Sequence, residues 1–295
     1  MRKFTYLVPK TLDEAISLYE SHGQQARYVA GGTDVLAKVK EGKMKPDYLI
    51  SLKHIVAQDR PFLNHETGEL FIGAFVTHRS IETSPTIRQN YPIIHDAVSN
   101  IGSVQIRNVA TIGGNLVNAL PSADGAIPLI TLDAKAHIYG TKGHRTAELR
   151  RFFLGPGQCD LDRGEILIEL VIPPLAPRSG GAYVKHGRRS AMELPMLGVG
   201  VLLSLAEDMT TCARARICLG VAAPTPLRCL QAEEYLVGKP IDENSLAETG
   251  KIAAEESKVR DSIRGVAWYR REMVGVLVKR MGLTALHRAK HKAHS

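Results

Sequence analysis

Long apolar runs are missing from this 295-residue sequence. The longest, from Met196 to Ala206, contains two glycines and is too short to cross a bilayer. Residues 1–10 hold no apolar stretch of the length that a secretory signal needs, so a cytoplasmic location is expected. Apolar residues make up 44% and charged residues 23% of the chain, which is typical of a folded globular protein and excludes a disordered or fibrous one.

Cysteine is scarce as well. The four cysteines, at positions 159, 212, 218 and 229, have no CxxC spacing. Without a secretory signal they are expected to be reduced thiols, some of them buried, rather than ligands of a metal or an iron–sulfur cluster. His54, His78 and His186 show no metal-ligand spacing either. The sequence therefore predicts no metal on this chain.

Aromatic residues amount to only 5%, and they do not alternate with basic residues as in a stacking surface for nucleic acids. The net charge of +8 is partly local, because residues 289–295 form a basic tail and the stretch Arg264 to Arg280 adds further Arg and Lys. Such charge could bind nucleic acid. We interpret it as a solvated tail after a terminal helix, and we expect neither nucleic-acid binding nor a membrane span.

The common signatures of a self-contained catalyst are absent too. No GxGxxG follows the first predicted strand, which excludes the usual dinucleotide-binding fingerprint. No GxxxxGK[ST] is present, which excludes P-loop nucleotide hydrolysis. The motifs GxSxG and HExxH are also missing.

What the sequence does contain is two groups of regular elements. Thr11 is placed to cap a helix that ends at Gly23, and Glu14 would complete a capping box. The first group alternates strands and helices, and the second has strands followed by helices, an α+β layout. The Pro-, Gly- and Ser-rich stretch 173–181 is the predicted boundary. Strands are predicted at 27–30, 48–51, 68–74, 135–139, 165–172, 182–186, 198–206 and 214–222, helices at 35–42, 78–82, 92–100, 231–237, 245–257 and 266–282, and loops over 101–124.

Two glycine pairs are flanked by polar side chains and apolar segments. The first is AGGTD, from Ala30 to Asp34, and the second is TIGGN, from Thr111 to Asn115. Glycine lets the backbone approach a ligand, and successive N–H groups in such a loop can bind an anion. One such pair is most often a tight turn. Two of them, with Thr33, Thr111 and Asn115 as side-chain donors, suggest a pyrophosphate held between two loops.

The order of the motifs resembles one known family. AGGTD is followed by GSVQIRNVATIGGNLVNALPSAD, then by EILIELVIP and then by AYVKHGRR. This order is similar to that of the FAD-binding medium subunit of the molybdenum hydroxylases, the xanthine dehydrogenase and aerobic carbon monoxide dehydrogenase type. The resemblance runs from VPKTLDEAISLY to WYRREMVGVLVKR and so covers nearly the whole chain.

The resemblance implies an α+β fold in two domains. Residues 1–177 would form an FAD-binding domain of the vanillyl-alcohol-oxidase (PCMH) type, made of two subdomains. Residues 178–288 would form a small α+β domain of the carbon monoxide dehydrogenase flavoprotein C-terminal type, an antiparallel sheet with helices. Residues 289–295 would be the basic tail.

The resemblance also implies the cofactor-binding residues. The first loop would wrap the FAD pyrophosphate with Val29, Ala30, Gly31, Gly32, Thr33, Asp34, Val35 and Leu36, and Leu36 would lie near the isoalloxazine. The second would place Ile101, Gly102, Thr111, Ile112, Gly113, Gly114 and Asn115 around the diphosphate. Asp124, Leu167 and Lys185 would be further contacts. No residue is assigned a catalytic acid–base role.

Each of the last three assignments has a simpler alternative. Asp124 could cap the helix that begins at Ala126. Leu167 could be an ordinary core residue of its strand, and Lys185 an ordinary surface lysine. If Lys185 lies near a flavin, its charge would stabilise the anionic reduced ring. Arg107 is expected to support the loop rather than to act in catalysis.

The function implied is electron transfer within a complex. A substrate would be oxidised at a molybdopterin-type cofactor on a large partner subunit, and electrons would pass through two [2Fe–2S] clusters on a small partner to FAD here, then to NAD+ or another acceptor. A dimer of heterotrimers is expected. Relatives of the 4-hydroxybenzoyl-CoA reductase kind carry a [4Fe–4S] cluster on a cysteine-bearing insertion. No such insertion lies between the two glycine motifs.

Two other hypotheses stay open at this point. One is a stand-alone FAD oxidoreductase of the same fold, which would need an acid–base or flavin-anchoring residue that the motifs do not show. The other is a non-catalytic assembly module that uses the positive charge. The absorption spectrum separates them, because an FAD protein is yellow and an assembly module is colourless.

Overall fold

The computed structural model describes residues 3–55, 60–189 and 191–292. The described residues form three sheets and a two-stranded ribbon, with helices packed against them. The α+β fold class predicted from the sequence is confirmed.

A small parallel sheet comes first in the chain. Its strands are β1 (Thr5–Leu7), β2 (Ala26–Val29) and β3 (Tyr48–Ser51), in the order β1-β3-β2, and the helices between them are α1 (Leu12–His22) and α2 (Val35–Lys40). Thr11 caps α1 by accepting the N–H of Glu14, as predicted. The Glu14 carboxylate accepts the N–H of Lys10 and not that of Thr11, so the predicted capping box is only half formed.

A five-stranded antiparallel sheet follows. Its strands are β4 (Phe62–Leu63), β5 (Leu70–Gly73), β6 (Lys135–Gly140), β7 (Gly143–Glu148) and β10 (Ile166–Ile172), in the order β4-β5-β10-β6-β7, and a ribbon consists of β8 (Phe153–Gly155) and β9 (Gln158–Cys159). Its helices are α3 (His78–Thr83), α4 (Pro85–Asn90), α5 (Pro92–Val98), α6 (Val104–Arg107), α7 (Ile112–Val117) and α8 (Ala126–Thr131). The predicted loop over 101–124 therefore contains two short helices.

A second antiparallel sheet forms the rest of the chain. Its strands are β11 (Ser179–His186), β12 (Leu197–Leu205), β13 (Cys212–Gly220) and β14 (Leu227–Arg228), and its helices are α9 (Leu230–Leu236), α10 (Glu243–Glu256) and α11 (Ala267–Lys292). Every residue of β12 is buried, because α8 covers one face of the sheet and α11 the other. Among the described residues, no helix is both long enough and apolar enough to span a membrane.

The last helix is longer than predicted. It was expected to end at 282 and it continues to Lys292, so residues 289–292 of the predicted basic tail are helical, and residues 293–295 lie outside the described part. Ala285 and Ala289 are fully buried, because the backbone of α11 lies against Gly180 of β11 at those positions. This apolar contact stabilises the extra turns.

Three groups of buried apolar side chains form the interior. One lies between the parallel sheet and α1, one between the five-stranded sheet and α3 to α8, and one between the last sheet and α9 to α11. An ion pair joins the second and third groups, since Arg288 of α11 donates to Asp96 of α5 at 2.6 Å and to the carbonyl of Gly181 at 2.8 Å.

Candidate functional site

A cleft lies between the parallel sheet and the five-stranded sheet. It measures about 1310 Å³ including its open mouth. The predicted residues that line it are Ala30, Gly31, Gly32, Thr33, Asp34, Val35, Ile101, Thr111, Gly113, Gly114, Asn115 and Leu167. The two glycine motifs, remote in sequence, thus face each other across one opening.

In the first glycine pair, each position requires glycine for a different reason. Gly32 has φ +74°, a left-handed backbone that favours glycine. Gly31 lies against the segment that precedes the second motif, because a Cβ there would be 2.1 Å from the carbonyl oxygen of Val109. Within the described residues, no hydrogen bond engages the N–H groups of Gly31, Gly32 and Thr33. Three adjacent donors are therefore left at the edge of the cleft.

The second glycine pair is predicted to be a loop, but the structure shows a helix there. It forms the first turn of α7, with Thr111 as the N-cap. The N–H of Ile112 donates to Val76, that of Gly113 to Ala74, and that of Gly114 to the hydroxyl of Thr111. These N–H groups already have acceptors inside the chain, so the motif is a helix N-terminus and not the predicted loop. Its contact with a pyrophosphate stays a prediction.

Side chains supply the donors on this side of the cleft. The Asn115 Oδ1 accepts the N–H of Gly125 at 3.2 Å, which leaves its amide NH₂ as a donor. The Thr111 hydroxyl oxygen accepts the N–H of Gly114, which leaves its own O–H to donate. Gly114 is exposed, and only the Thr111 Oγ1 lies within 4 Å of where a Cβ would stand. The backbone surface at Gly114 is therefore open to the cleft.

Lys38 adds a positive charge that the sequence analysis missed. It lies on α2, lines the cleft, and donates to the Asn118 Oδ1 at 2.8 Å from the opposite side. Lys38 follows Asp34 by four residues, so both lie on the same face of the helix that begins after the first glycine pair. That spacing is the signal from which Lys38 could have been found.

Six predicted residues do not line the cleft. Val29 and Ile112 are buried behind it, Leu36 is partly exposed, and Gly102 follows the lining residue Ile101. The other two, Asp124 and Lys185, form a separate pair described below. Contact with FAD stays a prediction for these six residues and for the twelve that line the cleft.

Asp124 and Lys185 form a buried ion pair of 2.8 Å. Asp124 also accepts the hydroxyl of Tyr183 at 2.6 Å, and Lys185 also donates to the carbonyl of Asn100 at 3.0 Å. Burial raises the pKa of Asp124, and the charge and hydrogen bonds of its two partners only partly offset this. The alternative in which Asp124 caps α8 is wrong, because Gly125 occupies the N-cap position without a side-chain bond.

The alternatives for Leu167 and Lys185 have different outcomes. Leu167 is buried in the core of the five-stranded sheet, so it is a core residue as the simpler alternative has it. It also lines the cleft, and its contact with FAD stays a prediction. The Lys185 side chain is only 11% exposed, which contradicts the surface-lysine alternative.

A second ion pair supports the wall of the cleft. Arg107 of α6 donates to both carboxylate oxygens of Glu82 on α3, at 2.9 and 3.1 Å, and to the carbonyl of Ile101 at 3.0 Å. Burial alone would raise the pKa of Glu82, but hydrogen bonds from Arg107 and Arg79 outweigh it and hold that pKa below its usual value. This agrees with the supporting role expected for Arg107.

Comparison with known proteins decides the family. Residues 2–175 match the model of the FAD binding domain in molybdopterin dehydrogenase, and residues 182–285 match that of the CO dehydrogenase flavoprotein C-terminal domain. The chain belongs to the FAD-binding subunits of the molybdenum hydroxylases. The predicted family and FAD as the cofactor are thereby confirmed. The division at 177/178 stays a prediction.

Known members of this FAD-binding subunit family cover the same length. The chain is 32% identical to the putative xanthine dehydrogenase FAD-binding subunit XdhB of Escherichia coli, over 92% of each chain. It is 31% identical to the nicotinate dehydrogenase FAD-subunit of Eubacterium barkeri, over 95% of each. Carbon monoxide dehydrogenase of Hydrogenophaga pseudoflava contains a chain that superposes with a TM-score of 0.89 at 30% identity, over 99% of this chain and 98% of that one. The chain is thus an oxidoreductase component.

All four cysteines of this FAD-binding subunit are free thiols, and three are buried, as expected. Among the residues that the structure describes, no three His, Cys, Asp or Glu side chains are grouped as metal ligands. The expected absence of iron from this chain stays a prediction.

Proposed function

We propose that the cleft between the two glycine motifs holds FAD, and that the chain passes electrons from [2Fe–2S] clusters on a small partner subunit to NAD+ or another acceptor. The substrate would be oxidised at the molybdenum cofactor of a large partner, in a dimer of heterotrimers. When bound, FAD supplies redox chemistry in steps of one and of two electrons, so electrons that arrive singly can leave as a pair.

The observation that carries this proposal is the set of donors that converge on the cleft. The free N–H groups of Gly31, Gly32 and Thr33 lie on one side. The Thr111 hydroxyl and the Asn115 amide lie on the other, and the Lys38 ammonium spans the two. Backbone N–H groups, hydroxyls and a lysine are the groups that bind phosphate oxygens. They fit the pyrophosphate of FAD, with α7 contributing side chains instead of its N–H groups.

Asp124 and Lys185 have a less direct role in the proposal. The Asn100 carbonyl, which accepts from Lys185, immediately precedes Ile101 in the cleft wall. The pair therefore fixes the segment that leads into the wall. Leu167 presents an apolar surface to the ligand from β10.

A stand-alone oxidoreductase with its own acid–base site is less well supported. The imidazole in the cleft wall belongs to His78, and burial together with the nearby Arg107 lowers its pKa to about 4. A group of that pKa binds a proton only weakly at neutral pH. A general base that works at pH 7 has a pKa near 7. His78 is therefore poorly suited to act as a general base in the cleft.

The proposal is tested in the purified complex, in which the iron–sulfur clusters are reduced by limiting dithionite without oxygen. NAD+ is then added to the wild-type complex and to one carrying Gly114→Leu, which fills the open surface beside Thr111. Gly275→Ala, in α11 and away from the cleft, is the matched control. Reoxidation of the clusters should be fast in the wild type and the control and slow in the variant, which should also release no FAD when it is denatured. Equally fast reoxidation without flavin would contradict the proposed route.

A further inference from the structure

His78 is a buried polar side chain without a partner. It is 0% exposed, and within the described residues neither its Nδ1 nor its Nε2 has a hydrogen-bond partner. A buried polar group without a hydrogen bond destabilises a protein, so a buried histidine that lacks one needs an explanation. His78 is also one of the residues that line the cleft. The partner that satisfies it can therefore come from the ligand.

Neighbouring groups fix the backbone of His78 and keep its ring neutral. The His78 backbone N–H donates to the carbonyl of Ala110, which ties the start of α3 to the segment before α7. The charged groups beside it are Arg107 of α6 and, on α3 itself, Glu82 and Arg79, all three of which belong to one ion-paired cluster. Burial and Arg107 lower the pKa of His78 to about 4, so the ring is uncharged at neutral pH.

A neutral imidazole presents one N–H donor and one acceptor nitrogen. A pyrophosphate offers hydrogen-bond acceptors only and attracts cations. It could therefore accept the ring N–H but would leave the acceptor nitrogen without a partner. The flavin half of FAD offers both kinds of group, as ring carbonyls beside a ring N–H and as ribityl hydroxyls. His78 is hydrogen-bonded to Ala110, and the cleft lining also includes the apolar Ile101 and Ile106, which suits a flat ring rather than a phosphate.

We infer that His78 is a positioning residue that hydrogen-bonds the flavin half of FAD, through its polar ring edge or its ribityl hydroxyls, as a neutral imidazole. This inference rests on the proposal that FAD occupies the cleft. The chain keeps a buried ring without internal partners because the ligand completes its hydrogen bonds. Such a residue weakens the empty protein and strengthens the complex.

The test uses the full chain, stripped of FAD, and three probes: FAD, riboflavin and ADP. His78→Phe keeps the ring volume and removes both nitrogens, His78→Gln restores a neutral donor and acceptor, and His54→Phe changes an exposed histidine as a control. His78→Phe should lower the affinity for FAD and riboflavin roughly tenfold, as expected for the loss of one or two hydrogen bonds, and leave that for ADP unchanged. His78→Gln should recover most of the loss.

Thermal unfolding of the ligand-free chain is the second readout. His78→Phe should melt at the same temperature as the wild type or higher, because it removes a buried group that has no partner. A lower melting temperature would mean that the ring is satisfied within the chain, and would overturn the inference. An equal loss of ADP affinity, or no loss for any probe, would overturn it as well. If the wild type binds none of the probes, or if Gly114→Leu still binds FAD, the cleft proposal itself fails, and this result is distinct from the others.

Discussion

The two glycine pairs contain residues with separable roles, and alanine substitutions should separate them. Gly31→Ala places a methyl carbon 2.1 Å from the carbonyl oxygen of Val109 and 2.8 Å from the Ala110 Cα, where ordinary contacts are about 3.4 Å or longer. Both neighbours are backbone, so the two segments must separate by roughly an ångström. We expect a loss of about 2–3 kcal/mol in the free energy of unfolding, at the upper end of the usual cost of overpacking.

Gly114→Ala should behave in the opposite way. A Cβ there is 3.0 Å from the Thr111 Oγ1 and meets nothing else within 4 Å. The unfolding free energy should therefore stay within about 1 kcal/mol of the wild type, because alanine also favours the helix. The methyl group stands in the cleft, and FAD affinity should fall by at least about tenfold if the pyrophosphate lies against this surface.

Thermal melts of the ligand-free chain and FAD titrations followed by flavin fluorescence measure the two effects. Gly31→Ala should lower the melting temperature by about 4–12 °C, since each kcal/mol is worth about 2–4 °C at this size. Gly275→Ala in α11 is the control for alanine in a helix away from the cleft. Wild-type melting of Gly31→Ala, or normal FAD binding by Gly114→Ala, would refute the reasoning.

Three further predictions concern the ion pairs and the cysteines. Glu82→Gln leaves Arg107 buried without its counterion and should lower the free energy of unfolding in urea by about 3–5 kcal/mol. In the wild type the pKa of Glu82 is lowered, so the stabilisation by this ion pair is present at neutral pH and is lost as the pH falls through that lowered value. Lys185→Met removes the cation beside Asp124, whose pKa burial already raises, so the urea midpoint should fall as the pH rises from 5 to 8, more steeply than in the wild type. With Ellman's reagent, only Cys159 should react in the native chain, and slowly, because the other three thiols are buried.

Local patterns predicted much of the fold. The strand at 48–51 and the helix between Thr11 and Gly23 were predicted correctly, because the spacing of apolar residues and the capping residues can be read from the local sequence. β1 was missed, since Thr5–Leu7 is three residues long and only one of them is half-buried. It exists because it pairs in parallel with β3, a contact that the local sequence does not encode.

Glycine was the least reliable signal. The terminal helix was predicted to end at Gly282, but a Cβ at Gly282 would be 2.6 Å from the Leu246 Cδ2, so this glycine allows α10 and α11 to pack closely. Gly113 likewise lies against Ala74 inside a helix. A glycine that ends a helix and one that admits a neighbour look the same in sequence, and only the tertiary contact distinguishes them.

In the candidate site too, local sequence predicted some features and tertiary contacts decide the others. The motifs that share the cleft were predicted from their order along the chain. Which N–H groups remain free at Gly31 and which are used at Gly113 depends on contacts with other segments. His78 could not be predicted, because nothing in THRSIE shows that both ring nitrogens lack partners among the described residues.

The ion pair between Asp96 and Arg288 has a consequence for synthesis on the ribosome. The two residues are 192 positions apart. At about 5–20 residues per second, Asp96 emerges roughly 10–40 s before its partner has been made. During that interval the face of α5 that receives β11 and α11 is uncovered, although most of the cleft has already been translated. We expect a nascent chain stalled before Arg288 to expose this face to chaperones and proteases, and the released 295-residue chain to be protected.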